Sequence, residues 1–187
     1  WQNNAEAGGK VGVDDDGNGY VDDIYGFDFV NRRGNGVDDN RHGTHVSGTI
    51  AAEKNGIGTI GMAPKVKIMP LKFLSANGYG DTANAIEAIK YATKMGAKIL
   101  SNSWGGGGNS QYLDQAIQEA QAQGVVFVAA AGNESTDIDS TPSYPASYAG
   151  VIAVGSTTFS DLRSSFSNYG DSSVLIGAPG SDIYSTL

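Results

Sequence analysis

The chain contains no cysteine, so no disulfide or thiolate metal site can hold its fold, and redox chemistry gives no clue to its compartment. Basic residues are few. Twelve Lys and Arg stand against twenty Asp and Glu, a formal net charge of −8, and none of the clustering needed to neutralise a phosphate backbone is present, which argues against a nucleic-acid partner and for cations. No apolar run approaches the ~20 residues of a membrane-spanning helix. The opening WQNNAEAGGK also lacks the basic-then-apolar pattern of a signal peptide, so a membrane partner is not expected. What is abundant is glycine: 27 residues in a chain of 187 point to many turns and close backbone approaches, while 40% hydrophobic content allows one domain with a proper core.

Residues 1–41 are rich in Asp, Asn and Gly and keep no helical or strand period, so they read as a long polar surface excursion. From His42 the texture changes. Small and apolar residues run to Ala52, with Gly56 as the expected terminator, which predicts a short buried helix beginning at the histidine, its glycines and alanines permitting close packing. Residues 66–74 (VKIMPLKFL) read as a strand weakened by Pro70. Asp81 or Thr82 caps a predicted helix closing at Gly96, and Ser110 opens another through Leu113, Ala116, Ile117 and Ala120 to Gly124. Between and after them, KILS at 98–101 reads as a short buried strand, VVFVAAA at 125–131 and VIAV at 151–154 as strands of the continuous apolar kind that is covered on both faces, and 173–176 as a further strand candidate. This alternation specifies βαβ units, hence an α/β fold with a parallel, doubly wound sheet flanked by helices. In such sheets the working groups collect beyond the carboxyl ends of the strands, which singles out SWGG after KILS and GNES after VVFVAAA.

Both histidines lie in HGTHVSGT, residues 42–49. A histidine at a helix start can hold its ring exposed while the helix body is buried, which suits a general base, though taken alone the same placement serves a ring that only caps or packs. An H-x-x-H metal site through His42 and His45 is disfavoured, because the spacing differs from H-E-x-x-H and no Glu lies between.

HGTHVSGT, NSWGG and AAAGNES, in this order and at these separations, resemble the subtilisin-like serine proteases, and DDIYGFDFV, YPASYAGVIAVGS, FSNYG and GAPGSDIYSTL extend the likeness from about residue 20 to 187. The resemblance implies a serine endopeptidase. His42 would take the proton of a serine hydroxyl and return it to the leaving amine, while His45 would be structural. Asn133 would donate its amide to the oxyanion, a contact worth roughly 3 to 4 kcal/mol of barrier. Ser103, Trp104 and Gly105 would pair with an extended peptide or protein substrate and line its first specificity pocket. Ala130, Ala131 and Gly132 would form the opposite wall of that pocket, and Gly78, Tyr79 and Gly80 the opposite edge strand. Small wall residues leave room for a large apolar side chain. The resemblance also implies secretion.

The family pattern is incomplete. No D-[ST]-G precedes His42, and no G-T-S-M-A follows before Leu187. Asp28, Asp39, Ser181 and Ser185 lack the family context of an aspartate or nucleophile. The chain is therefore expected to be an internal piece of a peptidase domain, truncated at both ends and by itself inactive. Its uncovered sheet surface is expected to drive self-association or strand exchange. A non-catalytic calcium- or peptide-binding module is the alternative.

Residues 14–23, DDDGNGYVDD, follow the start of a calcium loop: Asp14, Asp16 and Asn18 at positions one, three and five, Gly19 at six, the Tyr20 carbonyl at seven and Asp22 at nine. Position twelve is Tyr25, so Asp23 is the substitute for the missing bidentate ligand. Similar acidic loops precede Y-G-[FW]-D-F in some relatives, and structural calcium is the expected cofactor. A second family site after D-F-V is in doubt, because Asn31, Arg32 and Arg33 stand there.

Overall fold

The computed structural model describes residues 1–187 as two compact units, one formed by 1–88 with 184–187 and the other by 89–183. The α/β expectation holds: a four-stranded, wholly parallel sheet stands with helices in βα alternation.

In the first unit, residues 1–41 depart from the expected surface excursion. They carry a short helix α1 (Asn4–Ala7) and two short strands, β1 (Phe27–Asp28) and β2 (Arg33–Gly34). The reason is a small core that sequence periodicity is too short to reveal. Tyr20, Phe27 and Phe29 meet edge to face, with centroids 4.8 to 5.8 Å apart, and Phe27 and Phe29 are buried. Such pairs add about 0.5–1.5 kcal/mol each beyond area burial. β1 pairs antiparallel with β2 and parallel with β3 (Leu71–Lys72). The strand expected over 66–74 shrinks to these two residues because Pro70 has no N–H to donate, although its carbonyl still accepts from Phe27 N at 3.3 Å.

Helix α2 (His42–Ala51) begins at the histidine, as its composition predicts, but stops well before Gly56 and, against the expectation of a buried helix, buries only Gly48, its other residues being half-buried or exposed. Its last carbonyls are taken by a returning segment: Gly61, Met62 and Ala63 donate their N–H groups to Ala52, Thr49 and Ile50. A Cβ at Gly61 would fall 2.4 Å from Ala51 N, so only glycine allows this return. Helix α3 (Thr82–Lys94) follows.

The second unit holds the parallel sheet in the order β4 (Ile99–Asn102), β5 (Val126–Ala130), β6 (Ile152–Thr157), β7 (Ile176–Pro179), with α4 (Gln111–Ala122) lying against β5. Ser110 caps α4 through Leu113 N, and Leu113, Ala116, Ile117 and Ala120, at i, i+3, i+4 and i+7, form its buried stripe. Leu100, Phe127, Ala129 and Ala153 are buried on one face of the sheet. On the other face Ile99, Val126 and Ile176 remain 63%, 42% and 54% exposed. No helix of the chain is long and apolar enough to cross a membrane.

Candidate active site

His42 is exposed on the first turn of α2. Arg41 before it is left-handed, φ +83°, and offers no side-chain cap. Asp38 supplies one from farther back. Its Oδ1 accepts from Asn40 N and Arg41 N at 2.9 and 3.0 Å, and its Oδ2 accepts from Thr44 N and the Thr44 hydroxyl at 2.8 and 2.6 Å. Burial pushes this carboxyl up, but the Thr44 hydroxyl and the three N–H groups outweigh it and bring it down to about 2. No motif in the sequence marks Asp38, and the acids that stand as candidate partners of His42, Asp39 and Asp28, are engaged elsewhere. Asp39 pairs with Lys72 Nζ at 3.0 Å. Asp28 is fully buried, holding Val30 N, Asn31 and Arg33. No carboxylate forms an ion pair with the His42 ring.

The C-terminal segment lies along the same helix. The Ser185 hydroxyl donates to the carbonyl of His45 at 2.7 Å, and the Thr186 hydroxyl donates to that of Thr44 at 2.9 Å. Gly48 permits this, since a Cβ there would lie 2.1 Å from Thr186 Oγ1. Ser185 is thereby committed to backbone, and the Ser181 hydroxyl to that of Ser164 at 2.7 Å. Gly78, Tyr79 and Gly80 form the exposed return arm of a tight turn: Gly80 bridges Leu74 antiparallel, and Ser75 N donates to Tyr79 O at 2.8 Å.

In the second unit, Ser103, Trp104 and Gly105 leave the carboxyl end of β4. Trp104 is half-buried and donates its Nε1 to Asn102 Oδ1 at 3.0 Å, while Asn102 Nδ2 donates to the Leu100 and Val128 carbonyls at 3.0 and 3.1 Å. The indole is thus oriented by an amide that also ties β4 to β5. Ala130, Ala131, Gly132 and Asn133 run off the end of β5, where Ala131 N donates to Val154 O at 2.9 Å and the Asn133 side chain is exposed. The loop is gripped by Asn168, within the FSNYG stretch, through contacts to Ala131, Gly132, Glu134 and Thr136. An exposed amide on a pinned loop at a strand end is the kind of donor that can meet a developing oxyanion.

The acidic loop gathers part of its expected ligand set and one residue not foreseen. Carboxylate oxygens of Glu6, Asp14 and Asp16 lie within 4.8 Å of one another. Glu6 arrives on α1, whose Asn3 cap followed three residues later by Glu is a helix-start signature that reading the segment as loop passed over. The buried Glu6 carboxylate accepts from Asp15 N at 2.7 Å and Asp22 N at 2.9 Å, fixing the loop around it. Asp14 accepts from Asn18 N and Gly19 N, and these bonds, Gly19 first, hold its carboxyl below the ordinary range. Asn18 turns its side-chain amide toward Asp16 and Asp23, at 3.2 and 2.8 Å. Asp23 is fully buried and also accepts from Asn3, whereas both oxygens of Asp22 accept from Gly12 N. Tyr20 carries its ring into the aromatic cluster and donates its hydroxyl to Glu87 at 3.1 Å. Burial, then the charge of Glu87, pushes that phenol up to about 12. No Lys or Arg pairs with Glu6, Asp14 or Asp16. Three carboxylates sharing a small space without a counter-charge, all oxygen donors, fit a hard divalent cation.

The subtilase family model matches residues 6–187. Subtilisin DY of Bacillus licheniformis is 41% identical over 164 residues, covering 87% of this chain and 60% of that protein. Thermitase of Thermoactinomyces vulgaris is 43% identical over 164 residues, covering 87% and 57%. The crystal structure of a cold adapted subtilisin-like serine proteinase superposes with a TM-score of 0.77 at 40% identity, covering 86% of this chain and 56% of that one. The chain thus spans about 60% of the length of these relatives. With its parallel sheet and its motifs in family order, the chain belongs to the subtilase family.

Proposed function

We propose that this chain is the part of a serine endopeptidase domain that carries the general base and the oxyanion donor, and that alone it turns over little or no peptide. The observation that carries the reading is His42, exposed on the first turn of α2 with that turn fixed by Asp38. In the reaction, a serine supplied from outside these residues attacks the substrate carbonyl while His42 takes its proton, and the carbonyl oxygen becomes an oxyanion that accepts from the Asn133 amide. Collapse expels the amine, which His42 protonates, and water then hydrolyses the acyl-enzyme. Without the nucleophile, donor and binding loops give only residual acceleration.

Residues 103–105 would hold the substrate as an added strand, with 130–132 walling its first pocket. Calcium is the proposed ion for the Glu6, Asp14 and Asp16 group, serving to neutralise and fix the loop. Secretion follows from the family reading. The exposed sheet face bearing Ile99, Val126 and Ile176 supports self-association of the isolated chain.

The test is hydrolysis of a chromogenic peptide with a large apolar P1 residue, in calcium, by this chain and by a protein of the relatives' full length that contains it. Turnover by the longer protein that is lost in His42→Ala, with none by the chain alone, is expected. Turnover that survives His42→Ala refutes the assignment of the base. Peptide binding by both with turnover by neither favours the non-catalytic module.

A further inference from the structure

We propose that Asn168 is the positioning residue for Asn133, setting the direction in which the candidate oxyanion donor points; the inference rests on the endopeptidase reading. Asn168 is 2% exposed, and its backbone N and both side-chain polar atoms serve the loop that carries Asn133, while its carbonyl accepts from the Ser167 hydroxyl at 2.9 Å. Its backbone N donates to Gly132 O at 3.0 Å. Its Oδ1 accepts from Glu134 N and Thr136 N, both at 3.0 Å, and its Nδ2 donates to Ala131 O at 2.9 Å and to Glu134 Oε2 at 2.7 Å. Glu134 Oε2 also accepts from Asn133 N at 2.9 Å.

These bonds have a specific geometric effect. The Gly132 carbonyl and the Asn133 N–H belong to the peptide plane before the Asn133 Cα, and the Glu134 N–H belongs to the plane after it. Asn168 holds the first through Gly132 O and, by way of Glu134, through Asn133 N, and it holds the second directly. Fixing both planes fixes φ and ψ of Asn133, and therefore its Cα–Cβ direction, leaving only side-chain torsions free. The grip has a firm base. Ser164 N donates to Ser156 O on β6 at 2.9 Å, the Ser167 hydroxyl accepts from Ser156 N at 2.8 Å, and Arg163 Nη1 donates to Ser167 O at 2.6 Å.

The arrangement demands an amide at 168. One end must accept from two N–H groups while the other donates to a carbonyl and a carboxylate, which neither Asp nor Ser can do. It also demands glycine at 132, where φ is +114° and a Cβ would fall 2.2 Å from Asn168 Nδ2. An oxyanion donor works only within about 2.7–3.1 Å of its target, and displacement by about 1 Å can cost about 100-fold.

The test uses the protein of the relatives' full length and steady-state kinetics on the chromogenic peptide. Asn168→Asp keeps the size and the acceptor but loses the donor and sets a second carboxylate against Glu134. It should lower kcat about 10- to 100-fold and raise KM by much less, the oxyanion existing only beyond the ground state while the Ala131 and Gly132 pocket wall that Asn168 also grips acts on ground-state binding. In an Asn133→Ala background, itself lowered about 100- to 1,000-fold, the same change should cost less than about twofold more. Additive losses, or a KM rise matching the kcat fall, overturn the positioning role. If Asn168→Asp fails to fold, Glu134→Ala, at an exposed side chain, must show a several-fold fall in kcat that the Asn133→Ala background likewise absorbs; unchanged kcat overturns the proposal. No turnover by the unmodified protein, or an Asn133→Ala variant of full activity, strikes the endopeptidase reading itself and the proposal with it.

Discussion

Replacing Asp38 by alanine removes four hydrogen bonds from the start of α2 and leaves the helix-start N–H of Thr44 without its side-chain acceptor. The depression of this carboxyl from 3.8 to about 2 corresponds to about 2 kcal/mol at 1.36 kcal/mol per pKa unit, and because the residue is exposed, solvent screening reduces this to about 1 kcal/mol. Loss of a helix cap independently predicts a cost of about 0.5–2 kcal/mol. At about 1 kcal/mol, the fall in Tm for a chain of this size is roughly 2–4 °C. The pH dependence has a definite sign. A carboxyl whose folded pKa lies below its unfolded one stabilises fully above the unfolded value of 3.8, and the contribution is lost as pH falls through about 2. Thermal unfolding of the parent chain and Asp38→Ala, followed by circular dichroism from pH 7 to pH 2, should therefore show a constant gap down to about pH 4 that closes toward pH 2. Other carboxylates titrate in both proteins and cancel in the difference. A gap that persists unchanged at pH 2, or no gap at pH 7, would refute the capping role.

Gly132→Ala should destabilise the second unit by about 1–3 kcal/mol from backbone strain alone, and more as Asn168 is displaced; urea unfolding reads the loss, and a neutral result contradicts the geometry around Asn168. Calcium at 100 times its Kd should stabilise the chain by about 2.7 kcal/mol, an effect that Asp14→Asn with Asp16→Asn abolishes; calorimetric titration after chelation, showing no heat and no Tm shift, would remove the metal from the proposal. Self-association should appear as a light-scattering mass above that of one chain and should fall when Val126 and Ile176 are changed to Lys; a strictly monomeric unmodified chain ends that expectation. Gly48→Ala should improve helix propensity while displacing residues 185 and 186, seen as faster hydrogen exchange at the C-terminal segment; unchanged exchange there would show that the segment has another anchor.

Short-range information carried the sequence reading furthest. The helix at His42, the Ser110 cap with its apolar stripe and the alternation of strand and helix are all written within a few consecutive residues, where spacing alone dictates which face is apolar. Strand limits were less legible because pairing sets them. The run 173–176 is apolar enough, yet the parallel register Val154 to Ile176 and Thr157 to Pro179 shifts β7 to residues 176–179. Tertiary structure alone decided Glu6, Asp38 and Asn168. Each is a polar side chain whose meaning lies in backbone groups brought to it by the fold, nine residues away for Glu6 and Asp15, six for Asp38 and Thr44, and 34 for Asn168 and Glu134. A sequence states which donors and acceptors exist, and motif order sufficed to indicate a subtilase; only the folded chain determines which of those groups meet, because a hydrogen bond depends on ångström placement that composition and spacing do not encode.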